Sequence, residues 1–116
     1  MKTQDNIFSL KNKIVIITGA GRGIGKHLAE QIAKCDAKVF AIDKKFTKKL
    51  TKKLTKNLSN IECDITNEIE FKKICDKIFK QKKRIDVLIN NAGVSMANEE
   101  TGKIYPKDKW DETLRI

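Results

Sequence analysis

Four short runs rich in β-branched residues recur along the chain and are typical of strands buried on both faces. They cover residues 13–19, 37–43, 60–66 and 85–93, and the last run ends in a loop. Between them, apolar residues recur three or four positions apart, which predicts helices. Strands that alternate with helices in this way run parallel and predict an α/β fold with a doubly wound sheet.

The first and third helical segments carry clear signals. In the first, Ile24, Leu28 and Ile32 recur at a spacing of four and form one apolar stripe. The third segment is preceded by Asn67, which can cap a helix, and Glu70 completes a capping box. Both segments are therefore predicted to pack one face against the sheet.

The second segment, residues 44–58, is rich in lysine and threonine but periodic. Its apolar residues are spaced four apart, at Phe46, Leu50, Leu54 and Leu58. This spacing predicts a helix with one narrow apolar face and solvated lysines on the others. A last helix is predicted to begin at Asp108 or a neighbouring residue.

Glycines are concentrated where the first strand meets the first helix. The stretch ITGAGRGIGKH, residues 17–27, has a glycine at every second position from Gly19 to Gly25. A helix N-terminus offers unpaired N–H groups and the positive end of its dipole, and glycines allow a phosphate to approach them. A tight turn without a ligand is the alternative explanation.

Asp43 stands at the end of the second predicted strand, after this glycine loop. A carboxylate at that point can accept hydrogen bonds from both hydroxyls of an adenosine ribose, and it repels a 2′-phosphate. The loop and the acid together predict a dinucleotide site that favours NAD over NADP.

Composition argues against several other kinds of protein. The three cysteines, Cys35, Cys63 and Cys75, lack the spacing of metal ligands, so free thiols and no metal site are expected. No apolar run is long enough to span a membrane, and the N-terminus is too polar for a signal peptide. A cytoplasmic location without membrane partners is expected.

The net charge of +10 raises the question of a nucleic-acid or anionic partner. The lysines of residues 44–56 interleave with an apolar stripe, and no aromatic platform lies between them, which is typical of a solvated helix face. No nucleic-acid partner is therefore expected. His27, the only histidine, is predicted to be an exposed residue of the first helix.

Three motifs resemble the N-terminal signatures of the classical short-chain dehydrogenases/reductases. They are TGAGRGIG at residues 18–25, CDIT at 63–66 and NNAG at 90–93, in the order that this family shows. The resemblance implies a Rossmann-type sheet of strand order 3-2-1-4 that binds a nicotinamide dinucleotide. It also implies hydride transfer between NAD(P) and an alcohol or carbonyl substrate.

The resemblance further implies a role for each matching position. The glycine loop would line the pyrophosphate, Asp43 would hold the adenosine ribose, and Asp64 would accept from the adenine amino group beside Ile65. Arg22 and Lys44 stand where similar NADP enzymes bind the 2′-phosphate, so NADP stays possible. The implied cofactor residues are Gly19, Ala20, Gly21, Arg22, Gly23, Ile24, Gly25, Asp43, Lys44, Asp64, Ile65, Asn91, Ala92 and Gly93.

At the nicotinamide end, the motif at residues 90–93 would carry two tasks. The resemblance implies that Asn91, Ala92 and Gly93 pack along the nicotinamide-side ribose. It implies that Asn90 ties the fourth strand to its neighbours. Relatives usually end the first helix in glycine, where this chain has Cys35-Asp36, so Asp36 is expected to adopt a left-handed conformation.

The family's catalytic serine, tyrosine and lysine have no matching positions. Residues 1–116 are therefore expected to form a cofactor-binding domain that is incomplete at its C-terminus, inactive alone and homo-oligomeric when full-length. The alternative is a non-catalytic dinucleotide-binding fragment or the product of an interrupted gene.

One pair of residues imitates the family's catalytic motif. Tyr105 and Lys109 match Tyr-x-x-x-Lys, but they precede Trp110, whereas relatives carry their pair well after that segment. Pro106 also fits poorly inside a helix. The match is interpreted as coincidental, Ser95 as a loop residue and Trp110 as a packing residue.

Overall fold

A computed structural model describes residues 7–46, 56–93, 111, 112, 114 and 115. Its elements are β1 (Ile14–Thr18), α1 (Gly23–Lys34), β2 (Lys38–Asp43), β3 (Leu58–Glu62), α2 (Glu68–Lys82) and β4 (Val87–Ile89). The strands form one parallel sheet in the order β3-β2-β1-β4. The predicted α/β class and strand order are confirmed.

The central strand β1 is buried along its whole length because helices cover both faces of the sheet. Val15 and Ile17 point to one side and pack with the alanines of α1. Ile14 and Ile16 point to the other side and share a core with Ile78 of α2. A strand covered on both faces needs apolar residues at every position, which explains the continuous apolar run.

Helix α1 packs against the sheet through small residues. Gly25, Ala29 and Ala33 are its buried positions. Ile24, predicted to begin the apolar stripe, is instead 74% exposed. The helix ends as expected, because Asp36 takes a left-handed φ of 62° and its N–H donates to the Ala33 carbonyl at 3.2 Å.

The region after β2 differs from the prediction of a helix over residues 44–58. Residues 47–55 lie outside the described residues. At the described ends, Phe46 is not helical but packs on the α1 side of the core, and Leu58 begins β3. Strand β3 therefore starts earlier than the predicted run at 60–66, and it stops at Glu62. Backbone pairing of Val39 with Leu58 decides this boundary, and a four-residue periodicity carries no information about such pairing.

Helix α2 begins and ends with defined caps. Asn67 Oδ1 accepts from the Glu70 N–H at 3.1 Å, so the predicted cap is confirmed. At the other end, Lys83 has a left-handed φ of 69°, and its N–H donates to the Phe79 carbonyl at 2.7 Å.

Strand β4 forms an edge of the sheet and is shorter than the predicted run at 85–93. Just before it, Asp86 Oδ2 accepts from the Ile14 N–H at 2.7 Å and from Arg84 Nε at 3.0 Å. The hydrogen bond from Ile14 is the main reason that the pKa of the Asp86 carboxyl lies below its usual range. Leu88 is 49% exposed on this edge.

Near the C-terminus, Asp111, Glu112 and Leu114 have helical conformation, in keeping with the predicted last helix. Ser95, Tyr105, Lys109 and Trp110 lie outside the described residues, so their interpretation stays a prediction.

Candidate cofactor site

A cleft of about 440 Å³ opens at the carboxyl ends of the strands. Ligands of doubly wound sheets bind at this edge. The lining residues are Gly19, Arg22, Gly23, Ile24, Ile42, Asp43, Lys44, Lys45, Cys63, Asp64, Ile65, Asn91, Ala92 and Gly93. Residues from three separate sequence motifs thus meet at one cleft.

Three predicted site residues do not line this cleft. Ala20 and Gly21 line a small cavity between α1 and Phe46, and Gly25 is buried within α1. Conversely, three residues line the cleft without having been predicted to do so: Ile42, Lys45 and Cys63. Each of them is next to a predicted residue at the end of β2 or β3. Their position at a strand end could therefore have indicated that they line the cleft.

Three of the loop glycines are required by the protein's own packing. Gly19 has a φ of +67°, and a Cβ there would lie 2.7 Å from the Ala92 Cα. A Cβ on Gly25 would overlap the Gly19 carbonyl and the Asn91 side chain, and one on Gly21 would overlap the Lys45 carbonyl. These glycines let the loop lie directly on the ends of β4 and β2.

Gly23 differs in its packing: apart from its chain neighbours and its own helix backbone, no atom lies within 4 Å of a Cβ built on it, although its φ of +59° still favours glycine. It is an exposed cleft-lining residue at the N-terminus of α1. The first turn of α1 contains no acidic residue, and Arg22 at the N-cap makes no side-chain capping bond. A tight turn without a ligand therefore accounts for all four loop glycines, through close packing or through a positive φ, but it does not explain why the helix N-terminus is left open at the cleft.

The buried hydroxyl of Thr18 joins the ends of β1 and β4. Its Oγ1 accepts from the N–H groups of Asn91 at 3.2 Å and Ala92 at 3.1 Å, and it donates to the Ile89 carbonyl at 3.5 Å. Asn91 Nδ2 also donates to the Gly19 carbonyl at 3.1 Å. Asn90, which was expected to link β4 to its neighbours, is exposed. Among the described residues, Asn91 makes this link instead.

The Asp43 carboxylate is held in place by backbone N–H groups. Its Oδ2 accepts from Gly21 N at 2.8 Å and its Oδ1 from Lys44 N at 2.7 Å. A carboxylate oxygen has two lone pairs, so each oxygen keeps one for a further donor. Asp43 thus fixes the glycine loop on β2 and still offers two acceptors to the cleft.

Asp64 follows β3 and forms a second carboxylate at the cleft. Its Oδ1 accepts from the backbone N–H of Thr66 at 2.9 Å and from the Thr66 hydroxyl at 2.6 Å. These bonds, with a smaller contribution from the Lys44 ammonium, lower the pKa of the Asp64 carboxyl. Asp64 is therefore negatively charged at neutral pH.

Cys63 lines the same part of the cleft, but its environment does not activate it as a nucleophile. Burial raises the pKa of the Cys63 thiol, and the Glu70 and Asp64 carboxylates raise it further. The thiolate, which is the reactive form, is therefore disfavoured. His27 is exposed on α1, as predicted, and does not line the cleft.

The described part of the chain offers neither a metal-binding cluster nor a membrane-spanning helix. Within these residues, no cluster of three or more histidine, cysteine, aspartate or glutamate side chains could hold a metal ion. No helix in the same ranges has the length and apolar character needed to cross a bilayer.

Comparison with known proteins identifies the relatives of this chain. The family model described as short chain dehydrogenase matches residues 13–116. An NAD-dependent glycerol dehydrogenase from Listeria innocua is 31% identical over 114 residues, which cover 97% of this chain and 44% of that protein.

Solved structures agree in fold. A short chain dehydrogenase from Leptospira borgpetersenii with bound NAD⁺ has a TM-score of 0.75 and 30% identity, over 92% of this chain and 41% of that one. A variant of ElxO with NADPH bound has a TM-score of 0.74 and 32% identity, over 90% and 44% of the two chains. This chain thus spans less than half the length of these relatives.

Proposed function

We propose that this chain, which belongs to the short chain dehydrogenase family, binds a nicotinamide dinucleotide in the cleft at the carboxyl ends of its strands. The observation that carries the proposal is the position of Asp43. Its carboxylate is fixed beside an open helix N-terminus, at the end of the strand next to β1. Hydrogen-bond donors for a phosphate and acceptors for a ribose are thus available in one cleft.

The residues fit such a cofactor on chemical grounds. The backbone around Gly23 would hold the pyrophosphate, Asp43 the adenosine ribose, and Asp64 with Ile65 the adenine. Asn91, Ala92 and Gly93 would line the nicotinamide-side ribose. When bound, the cofactor supplies a hydride donor or acceptor.

NAD is the preferred cofactor in this proposal because the Asp43 carboxylate would repel a 2′-phosphate. Arg22, Lys44 and Lys45 bring positive charge to the same cleft, and this charge leaves NADP as the alternative. The related proteins bind either cofactor, as the NAD⁺ and NADPH complexes illustrate.

For the whole protein, we propose an oxidoreductase that transfers a hydride between this cofactor and an alcohol or carbonyl compound. No catalytic residue is assigned within the 116 residues, so we expect the chain to bind cofactor without turning over substrate. A mixture of NADH with a panel of ketones should therefore show no loss of absorbance when this chain is added.

The test of the cofactor assignment is Asp43→Asn. Asparagine keeps an acceptor for the Gly21 N–H but removes the charge and one ribose acceptor. Hydrogen bonds to a charged group are worth about 1.5–3 kcal/mol, so NADH binding should weaken about tenfold or more. NADPH binding should weaken less, because the repulsion of its 2′-phosphate is relieved.

Titration calorimetry with each cofactor measures both effects. Asp36→Asn is the matched control, since it removes the same charge from the end of α1 and asparagine tolerates a left-handed conformation. Equal weakening of NADH and NADPH by Asp43→Asn, or no weakening, would contradict the role of Asp43.

A further inference from the structure

Lys44 and Asp64 form an ion pair at the cleft, beside the ribose-binding carboxylate. Lys44 directly follows Asp43 at the end of β2, and Asp64 lies just beyond β3. The Lys44 Nζ is 3.5 Å from Asp64 Oδ2, and the two side chains are 58% and 42% exposed. The two strands are hydrogen-bonded neighbours, so the pair bridges their carboxyl ends.

Asp64 is a well-positioned partner because its other oxygen is already engaged. Thr66 donates two hydrogen bonds to Oδ1, and these bonds fix the carboxylate while leaving Oδ2 directed at Lys44. The Lys44 ammonium is therefore drawn towards the end of β3. An anion placed next to Asp43 would have to compete with Asp64 for this ammonium group.

We infer that Asp64 contributes to cofactor preference through Lys44, because their ion pair withholds the lysine charge from a 2′-phosphate and so disfavours NADPH relative to NADH. This inference rests on the proposed function. It makes Asp64 a positioning residue for Lys44, in addition to its proposed contact with adenine.

The expected size of the effect is modest. Exposed ion pairs contribute little because solvent screens both charges, so breaking this one corresponds to a change of at most about fivefold in affinity. NADPH would have to break the pair in order to gain the lysine, whereas NADH binds without disturbing it. The ratio of the two dissociation constants therefore isolates the contribution of the pair.

The experiment measures NADH and NADPH binding to the 116-residue chain and to Asp64→Asn by titration calorimetry. Asparagine keeps the carbonyl oxygen that Thr66 needs, but it no longer attracts the ammonium. Its weaker contact with adenine affects both cofactors alike and cancels in the ratio. Asp76→Asn is the matched control, because Asp76 forms an exposed ion pair with Lys72 on α2 and does not line the cleft.

The NADPH-to-NADH ratio of dissociation constants should fall about two- to fivefold in Asp64→Asn and stay unchanged in Asp76→Asn. In a Lys44→Gln background, Asp64→Asn should no longer change the ratio. An unchanged ratio in the first variant would overturn the inference, as would an equal fall in the control.

The Lys44→Gln background separates the indirect effect from a direct one. An equal fall of the ratio in that background would mean that Asp64 repels the 2′-phosphate directly, and this result would also overturn the inference. Failure of the wild-type chain to bind either cofactor would instead contradict the proposed function itself.

Discussion

Thr18→Val tests whether a single buried hydroxyl holds the cleft together. Thr18 is 1% exposed. Its hydroxyl accepts hydrogen bonds from two N–H groups of the loop after β4 and donates one to the Ile89 carbonyl. Valine has nearly the same shape, so the sheet packing should survive the change. Among the described residues, the Thr18 hydroxyl is the only acceptor for the N–H of Ala92, whereas the Asn91 N–H also donates to the Ile89 carbonyl at 3.1 Å.

The magnitude follows from counting the hydrogen bonds. Each neutral hydrogen bond contributes about 0.5–1.5 kcal/mol net, and the two shorter bonds therefore sum to about 2 kcal/mol. The additional buried methyl group of valine offsets up to about 0.8 kcal/mol. We expect the free energy of unfolding to fall by about 1–2 kcal/mol, and the loss should be concentrated where the loop meets β1.

Urea unfolding followed by circular dichroism measures the total loss in the free energy of unfolding. Amide hydrogen exchange shows which part of the structure is destabilised. In Thr18→Val, the amides of Asn91 and Ala92 should exchange faster relative to those of β2. Thr18→Ser keeps the hydroxyl and loses a buried methyl group, so it should lower stability without selectively exposing these two amides. If both amides exchange in the valine variant at the same rate as in the wild-type chain, the reasoning is refuted.

Two further predictions concern stability away from the cleft. Lys83→Gly should raise the free energy of unfolding by about 0.5–1 kcal/mol, because glycine adopts the left-handed conformation at the end of α2 more readily than lysine. Lys82→Gly, inside the last turn, should lower the free energy of unfolding in the same urea titration. Asp86 has a lowered pKa in the folded state, so its contribution to stability is complete above the ordinary aspartate pKa of about 4 and is lost as the pH falls below it. Asp86→Asn, which can still accept from the Ile14 N–H, should make the acid side of the stability–pH curve shallower, and an unchanged slope in urea unfolding at several pH values would contradict this.

The elements that the sequence predicted well are those whose local pattern and tertiary role agree. Strand β1 is apolar at every position because both of its faces are covered, and α2 carries its own cap in Asn67. The interpretation was wrong at Leu58 because its spacing from Phe46 suggested one helical face. Both side chains do pack on the α1 side of the core, but Leu58 reaches it from a strand. Spacing alone does not distinguish these two arrangements.

The site was predictable as a collection of residues, but its internal connections were not. Strand-end position together with the family motifs indicated Asp43, Asp64 and Asn91. The sequence carried no signal that Asp43 would bind the Gly21 N–H, or that Lys44 would turn towards Asp64. Those contacts depend on how β2 and β3 align, which is a property of the folded sheet.

The loop glycines illustrate why a motif and a ligand are separate conclusions. Gly19, Gly21 and Gly25 would be required even if nothing bound, because larger residues would collide with the protein's own backbone or side chains. A chain that has lost its ligand but kept its fold would therefore retain these three glycines, and the φ of +59° at Gly23 would favour glycine there as well. A bound dinucleotide is supported instead by the open helix N-terminus at Gly23 and by the carboxylate of Asp43 in the same cleft. Glycine spacing thus supports the fold first, and the case for the cofactor depends on the hydrogen-bonding capacity that the helix N-terminus and Asp43 leave free at the cleft.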